Sequence, residues 1–474
     1  MFRIRLNCTI LLLIACVALA SCGGRGTSSG GTPPAGTAPV VLAMTDTPPT
    51  NVTLLSAEVT VTGATLNPGN VSLLTTPITV ELTRLQTDIA YLVTTNVTAG
   101  TYTSLTLTFA NPSLTIENDT VTAIGTCSVG AVCTLPPTTI ANLSTTITLP
   151  TLMVSASTGA GLLVDVNLEG LLSATLGADF KIGTTVSEFT PAVSGVPLVE
   201  AEDVVGQVTA TDTAHNTFSF QNATGEFSLL VDSTTTFFQF PSNLCATPAF
   251  ACLHTNQILS VDISFRPDGT AVARNVLFED SDNSDTEVEG IITATNLGAQ
   301  QFTMVTLAES AMITGLKIGD SATVHFLISP PTPFDVDFIH ADNAPVSTGG
   351  FFFAPLTVPT ELFVGQQVQV RRNPSSAGAS ITADRVRLRS SRITATVQSI
   401  GAPSIFLSNP PSIFSGHGIT QIQAQTFMPT IFAEHGTLIT VSLIPLAGVV
   451  SVRGPLFNVS SARTLVATKV VLKP

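Results

Sequence analysis

The sequence predicts an all-β protein in which a β-sandwich is followed by a series of smaller, repeated β domains. Threonine and valine are abundant while only 11% of the residues are charged, a composition that favours strands over helices. Apolar and polar residues alternate over short runs, as in 105–109, and similar motifs recur through the second half of the chain. The length of 474 residues leaves room for about three domains.

The N-terminus has the features of a bacterial export signal. Arg3 and Arg5 precede an apolar run over 10–18, which has the length of a signal core and is shorter than the roughly 20 residues needed to span a bilayer. The next residues, Leu19-Ala20-Ser21-Cys22, resemble the lipobox of bacterial lipoproteins. The resemblance implies cleavage after residue 21 and acylation of Cys22. A cleaved signal with a chance cysteine is the alternative.

The residues after the cysteine predict a tether and a location. Gly23 stands where an aspartate would be the usual inner-membrane retention residue, so the lipobox resemblance implies an outer-membrane lipoprotein. Residues 23–39 are mostly Gly, Thr, Ser and Pro, a composition typical of flexible linkers. We therefore expect the folded part to be exported and lipid-anchored, on the periplasmic side or at the cell surface.

Charge narrows the classes of partner. Loss of residues 1–21 leaves 16 basic and 32 acidic residues, a net charge of −16. Nucleic-acid binding needs a basic footprint for the phosphates, and anionic lipid attracts basic segments. The expected partners are therefore the membrane, through the N-terminal lipid, and an envelope protein or a glycan, with no nucleic acid.

Two of the seven cysteines lie in the predicted signal peptide. Besides Cys22, the other four form two close pairs. Cys127 lies near Cys133, and Cys245 lies near Cys252. Even numbers and short spacings in an exported chain predict two small-loop disulfides. Metal binding is the alternative, although the spacing is poor for zinc and only His254 lies nearby.

Five short motifs follow one another in the first domain, and their order carries a resemblance. They are 41–48 (VLAMTDTP), 78–85 (ITVELTRL), 97–102 (VTAGTY), 162–166 (LLVDV) and 189–191 (FTP). This series resembles the bacterial family called "domain of unknown function 4382". In the third motif, Gly100 is expected to make a tight turn with positive φ. Tyr102 is expected to cover the sandwich edge with its hydroxyl bonded to backbone, a carbohydrate-stacking role being the alternative.

The remainder of the chain repeats itself. Opening motifs occur at 205–210, 289–294 and 394–399, the last with Ala395 in place of glycine. Closing motifs occur at 273–276, 383–386 and 467–470, and 261–263, 365–370 and 436–441 are predicted to form the preceding strands. Such phasing indicates repeated domains. The pattern resembles the family called "domain of unknown function 5666", which implies about three small OB-like β-barrels.

These observations predict six segments. They are a signal peptide (1–21), a lipidated tether (22–39), a β-sandwich (40–199), a first barrel (200–281), a second barrel with an insertion around 330–359 (282–389) and a degenerate third barrel (390–474).

Acidic residues gather at the joints between the repeats. Asp280, Asp282 and Asp285 are weak candidates for a calcium site, because 280–284 has the spacing that begins a calcium loop. The glycine and the terminal glutamate of such a loop are missing. We therefore expect solvated linkers at these joints.

Catalytic motifs are not found. The sequence has no nucleophile elbow, HExxH motif, P-loop or dinucleotide fingerprint, and its six histidines lack metal-ligand spacing. We expect a non-enzymatic envelope lipoprotein, without a cofactor, that acts as a binding or structural module. The alternatives are a carbohydrate- or polymer-binding lipoprotein supporting uptake and an envelope hydrolase with an unrecognised site.

Overall fold

The computed structural model describes most of the chain from Gly36 onward. The described residues are 36–48, 53–118, 121–123, 126–135, 143–156, 159–167, 183–189, 200–222, 225–266, 270–281, 286–309, 315–337, 339–341, 344–346, 353, 361–434, 437–459 and 462–473. Cys22 and most of the tether lie outside this set. Among the described residues, no helix has the length and apolar character needed to cross a membrane.

The first domain is a β-sandwich. Its strands are β1 (Thr37–Thr47), β2 (Thr53–Asn67), β3 (Val71–Leu74), β4 (Ile78–Glu81), β5 (Ala90–Thr98), β6 (Gly100–Glu117), β7 (Val132–Leu135), β8 (Leu143–Val154), β9 (Ala160–Asn167) and β10 (Gly183–Phe189). One sheet has the order β10-β9-β1-β5, and the other contains β3, β2, β6 and β7 with β4 and β8 attached. A 3-10 helix, Leu82–Gln86, lies between β4 and β5.

Alternation along the strands builds the sandwich core. Val59 and Val61 of β2 are buried with Leu105, Leu107 and Phe109 of β6, because alternate residues of a strand share a face. The same core takes alternate residues of β1 from the other sheet. The two sheets therefore enclose one apolar layer, and the predicted sandwich is confirmed.

Tyr102 has the structural role predicted for it, but Gly100 does not. The Tyr102 hydroxyl donates to the carbonyl oxygen of Thr98 over 2.8 Å, and its side chain is buried. Gly100 begins β6 without a left-handed φ, so the expected positive φ is wrong. Only Ala99 separates β5 from β6, and the chain makes this change of direction with extended backbone at the glycine.

Three small β domains follow the sandwich. The first consists of β11 (Glu200–Asp212), β12 (Thr217–Asn222), β13 (Gly225–Leu230), β14 (Thr236–Phe238), β15 (Ile258–Phe265) and β16 (Ala271–Asp280). The second consists of β17 (Thr286–Asn296), β18 (Gln301–Glu309), β19 (Ser321–His325), β20 (Phe334–Val336), β21 (His340–Ala341), β22 (Ala344–Pro345), β23 (Gln367–Arg372) and β24 (Ser380–Leu388). The third consists of β25 (Ser390–Gly401), β26 (Ser404–Ser408), β27 (Gln421–Glu434), β28 (Thr437–Leu438), β29 (Val449–Val459) and β30 (Ala462–Leu472), with one helical turn, α1 (Ser412–Ser415).

Strand order identifies these domains as OB-like barrels. In the second domain the pairing runs β17-β18-β19-β24-β23 and returns to β17, and the closing pair β19–β24 is parallel. The first and third domains have equivalent pairings. A five-stranded closed path of this kind is the OB topology. The prediction of an all-β chain with a sandwich and OB-like barrels is confirmed.

The glycine of the opening motif permits a close approach between strands. A Cβ added to Gly206 would lie 2.5 Å from the Gln221 carbonyl oxygen, and one added to Gly290 would lie 2.5 Å from that of Val305. In the third barrel, where Ala395 replaces this glycine, the close approach occurs at Gly454, whose added Cβ would overlap the backbone of Val466. The close approach of two strands thus occurs at a different strand in the third barrel.

One predicted strand of the third barrel is wrong. The fourth strand of the ring is β29, not the segment 436–441. Within that segment, Thr437–Leu438 forms the two-residue β28, and a 3-10 turn begins at Val441. The motif has strand composition, but β29 is the strand that pairs with both β25 and β30, and its residues 450–457 are all buried.

Both predicted disulfides are present. Cys127 and Cys133 close a loop beside β7, with their Cα atoms 5.8 Å apart. Cys245 and Cys252 close a loop between β14 and β15, with their Cα atoms 5.7 Å apart. Each bond therefore fastens a surface loop onto a domain.

We expect the Cys127→Ala/Cys133→Ala variant to lose about 2 kcal/mol of stability, because a bond closing so short a loop removes little entropy from the unfolded chain. Urea unfolding followed by circular dichroism measures this loss. The control is a Cys245→Ala/Cys252→Ala variant, which keeps only the Cys127–Cys133 bond. Its stability is measured with and without a reductant, and reduction should cause the same loss of about 2 kcal/mol. If reduction leaves the stability of this variant unchanged, the Cys127–Cys133 bond contributes nothing.

Candidate binding site at the domain junction

A cavity of about 530 Å³ lies where the sandwich meets the second and third barrels. The sandwich contributes β2 and the 3-10 helix, the second barrel contributes β17, β18 and β23, and the third contributes β25 and α1. No sequence motif predicted this junction pocket. Its residues come from three domains, so no short stretch of sequence contains the site.

The 3-10 helix places two polar side chains at the pocket. Glu81 caps this helix, accepting hydrogen bonds from the backbone N–H of Arg84 at 3.2 Å and of Ala57 at 2.8 Å. Leu82 and Leu85 are buried in the sandwich core, since residues three apart in a 3-10 helix share a face. Arg84 and Gln86 consequently lie on the side that lines the pocket.

A continuous polar chain crosses the pocket wall and joins the three domains. Arg84 pairs with Glu289 of β17, and Gln367 of β23 donates to the same carboxylate. Gln367 in turn accepts from Arg392 of β25 at 3.5 Å, and Arg392 pairs with Asp88 of the sandwich. Positive and negative side chains therefore balance one another along this wall.

Glu289 is held in its charged form. Burial by itself raises its pKa, but the positive charges of Arg84 and Arg389 and the hydrogen bond from Gln367 outweigh burial, leaving the pKa below its ordinary value. The Nε of Arg84 is buried without a hydrogen-bond partner in the described structure. The charges along the wall are therefore balanced, and the unused donor of Arg84 is buried.

The rest of the lining is largely apolar and contains a close contact. Leu54, Leu55 and Ile291 line the cavity together with Phe414, and Leu55 and Phe414 belong to one buried apolar cluster. Gly365 has a φ of +92°, and a Cβ there would overlap the Phe414 ring. The α1 turn is tied to the sandwich by Thr53, whose Oγ1 lies 2.7 Å from Ser412 Oγ and accepts from the Ile413 backbone N–H at 2.9 Å.

A buried ion network continues behind the polar wall. Asp88 lies near both Arg392 and Arg453, and Arg453 also pairs with Glu202 of the first barrel. Lys469 Nζ donates to Glu202 at 2.9 Å. Burial raises the pKa of Asp88, but Arg392, Arg453 and Lys469 outweigh it and the net pKa is lowered. Burial leaves the pKa of Glu202 raised in spite of its cationic neighbours.

A second network joins the first and second barrels. Arg385, Arg387 and Arg389 alternate along and just past β24. Arg385 pairs with Glu287 at 2.8 Å and Arg387 with Glu279 at 2.9 Å. Arg389 lies 3.3 Å from Glu279.

The expectation of solvated acidic linkers is therefore wrong. Glu279, Glu287 and Glu289 are all less than 10% exposed and take part in ion pairs. Their partners are remote in sequence, which hid the pairing. One signal was available, since the Arg-x-Arg-x-Arg spacing of 385–389 places three guanidinium groups on one face of a strand.

Only one of the three calcium candidates lies among the described residues. Asp280 pairs with Arg371, while Asp282 and Asp285 lie outside the described residues. Across the residues that are described, no group of three or more His, Cys, Asp or Glu side chains could hold a metal ion. The candidate lipidation residue, Cys22, likewise lies outside the described part.

Asp46 of β1 is a buried acid that contacts Lys473, at the C-terminal end of the described chain. Asp46 is fully buried, and neither carboxyl oxygen has a hydrogen-bond partner in the described structure. Lys473 donates to the backbone carbonyl of Asp46 at 2.7 Å. Burial raises the pKa of Asp46 well above its ordinary value, although Lys473 acts against the shift. Burial lowers the pKa of Lys473.

We expect Asp46→Asn to stabilise the protein as the pH rises. An acid with a raised folded pKa keeps its proton when the unfolded chain loses it near pH 3.9, so wild-type stability falls from there up to the folded pKa. The variant lacks this fall. Melting temperatures of the two proteins should agree below about pH 4 and diverge above it. Asp212→Asn, at an exposed site, is the control, and equal pH profiles for Asp46→Asn and wild type would refute the prediction.

Comparison with known proteins gives little information about family. No protein-family model matches the chain, and no curated protein matches it. One solved structure with similarity to it is a multidomain protein with nucleic acid binding domains from Streptococcus pneumoniae. It has 9% sequence identity and a TM-score of 0.11, with 59% of this chain and 74% of that chain covered. A score this low carries no argument about what this chain binds.

The expectation that nucleic acid is not a partner is not kept, because it rested on net charge alone. The solved structure with nucleic acid binding domains is too weakly similar to this chain to argue for such a partner. Net charge, −14 for the whole sequence, averages over all surfaces and does not determine the potential in any one groove. The exclusion is therefore withdrawn.

Proposed function

We propose that this protein is a lipid-anchored module of the bacterial cell envelope that binds a ligand in the junction pocket without catalysing a reaction. The observation supporting this proposal is the pocket itself, which combines a polar wall and an apolar wall at a domain junction. Its volume of about 530 Å³ is typical of small-molecule sites, and domain interfaces are common positions for them.

The chemistry of the walls favours an uncharged ligand. Both guanidinium groups at the polar wall are already paired, Arg84 with Glu289 and Arg392 with Asp88. A charged ligand would have to displace one of these partners, leaving a buried charge uncompensated. Gln86 and Thr394, which are hydrogen-bonded to each other at 3.0 Å, line the pocket, so a ligand with hydroxyl or carbonyl groups on one side and apolar surface on the other fits best.

A carbohydrate-binding role supporting uptake is the second candidate. Amide and hydroxyl side chains, including Gln86 and Asn409, line the pocket, and such groups are suitable partners for sugar hydroxyls. Phe414 is the one aromatic residue among the lining residues described, so sugar stacking would depend on a single ring.

The proposed anchor is tested at Cys22. We expect wild-type protein expressed in a diderm bacterium to incorporate labelled palmitate and to fractionate with membranes. Cys22→Ser should lose the label and leave the membrane fraction. A Cys22→Ser protein that keeps the label would overturn the lipoprotein proposal.

Ligand binding is tested on the mature chain carrying Cys22→Ser. A glycan array and a library of uncharged small molecules are screened, with DNA and RNA oligonucleotides included. A ligand present at 100 times its Kd should stabilise the protein by about 2.7 kcal/mol. Gln86→Leu should abolish the stabilisation, whereas Gln398→Leu, which removes an exposed amide of β25 outside the pocket, should preserve it. Equal loss in both variants would rule out the pocket as the site.

A further inference from the structure

A short loop of the third barrel concentrates exposed aliphatic side chains. This apolar loop, residues 438–446, begins at the end of β28 and precedes β29. Leu438 and Val441 are 45% and 38% exposed, and Leu443 and Leu446 are 61% and 66% exposed. Four of the eleven exposed large hydrophobic residues in the described structure thus lie within nine residues, a density that marks an interaction surface.

The apolar loop is held in a defined conformation. Ile444 is buried in the barrel core between the exposed leucines. The Leu443 backbone N–H donates to the Thr440 carbonyl at 2.9 Å, and that of Ile444 donates to the Val441 carbonyl at 3.2 Å. Outside the loop, Ala447 donates to the Val397 carbonyl at 2.8 Å. The leucines therefore project from a fixed turn, and internal bonds reduce the cost of placing its backbone in an apolar phase.

The apolar loop itself carries no charge. No Asp, Glu, Lys, Arg or His occurs from residue 437 to 452, and the hydroxyls of Thr440 and Ser442 lie 2.7 Å apart, bonded to each other. Interfaces between proteins usually have a polar rim. A charge-free aliphatic turn instead suits the boundary between lipid headgroups and acyl chains, where a charged side chain would be costly.

The position of the loop is compatible with the anchor in the proposed function, on which this step of the argument rests. The fifteen residues from Cys22 to Gly36 span up to about 50 Å when extended. β1 covers about 35 Å and ends beside the Asp46–Lys473 contact, next to Leu472. Leu472 pairs with Val450 and Glu434, on the strands flanking the apolar loop. The loop is thus within the reach of the tether from the membrane.

We propose that the apolar loop inserts Leu443 and Leu446 into the interface of a lipid bilayer of low net charge and provides a second membrane contact besides the acylated cysteine. Stable membrane anchoring commonly takes two such signals. The acidic net charge of the chain, −14, disfavours anionic lipid, so the contact is hydrophobic and insensitive to salt.

Vesicle flotation of the mature, unacylated chain with Cys22→Ser tests the proposal. We expect binding to phosphatidylcholine vesicles that persists at 0.5 M salt. Leu443→Glu/Leu446→Glu should reduce the bound fraction at least about tenfold, since two leucines no longer enter the apolar phase. Leu327→Glu/Ile328→Glu, which alters an exposed apolar pair of the second barrel, should bind as the parent does. Circular dichroism confirms that both variants are folded.

Three results would overturn the proposal. They are no vesicle binding by the parent chain, equal loss in both double variants, and a parent dimer that Leu443→Glu/Leu446→Glu converts to monomer, since a second copy would then cover the loop. Because the chain carries no lipid, failure here leaves the acylation of Cys22 and ligand binding in the pocket to their own experiments.

Discussion

Replacing Asp88 with asparagine is expected to lower the free energy of unfolding by about 3–5 kcal/mol, because removing one member of a buried ion network leaves its partners uncompensated. Arg392 and Arg453 are 7% exposed at their side chains and both approach Asp88. The loss should appear in urea unfolding at neutral pH as an early transition that separates the third barrel from the sandwich.

The pH dependence of this loss has a defined sign. The folded pKa of Asp88 is lowered, so its contribution is complete above the unfolded pKa of about 3.9 and disappears as the pH falls through the folded value. The difference between wild type and Asp88→Asn should therefore persist to about pH 4 and shrink below it. Asp212→Asn, which breaks an exposed pair with His215, should cause no measurable loss. Equal stability of the two variants would show that the buried network contributes nothing.

Gly365→Ala is the second substitution with a large expected effect. It combines a positive φ with a Cβ that would overlap the Phe414 ring, so left-handed strain and overpacking add to about 2–5 kcal/mol. Because both residues line the junction pocket, the variant should also lose ligand stabilisation. Urea unfolding gives the first quantity, and thermal shift with the screened ligand gives the second.

Two comparisons separate the strain at Gly365 from the overlap. Gly418 has a φ of +80° with open space around its Cβ position, so Gly418→Ala should cost only about 1–2 kcal/mol. In a Phe414→Ala background, Gly365→Ala should cost no more than Gly418→Ala, because the ring is gone. A Gly365→Ala loss unchanged by Phe414→Ala would disprove the overlap as its cause.

Most of the fold could be predicted from the sequence, but little of the candidate site could. Period-two patterning located the sandwich strands, and the glycines at 206 and 290 marked the opening strands of two barrels, because each strand passes too close to its neighbour for a side chain. The segment 436–441 misled because composition does not distinguish a barrel wall from an exposed turn.

The junction pocket and ion networks were hidden for a different reason. Arg84 and Glu289 are 205 positions apart, and Arg392 and Asp88 are 304 apart, so only the packing of whole domains brings them together. The acidic residues between the repeats, such as Glu279, have the sequence pattern of a solvated linker, and only the structure shows their arginine partners. Cys245 and Cys252, by contrast, were paired correctly because proximity in sequence was enough.

The contact of Lys473 with Asp46 also bears on how the chain folds. The two residues lie 427 positions apart, so the sandwich is separated by most of the chain from the strand that covers this end of it. Until β30 arrives, the faces that carry Asp46 and Asp88 stay open to solvent or to other chains. Contacts between residues so distant in sequence form slowly. A folding intermediate in which the sandwich forms before β30 docks would therefore have an unfinished surface, and capture by a chaperone at that stage would favour assembly over aggregation.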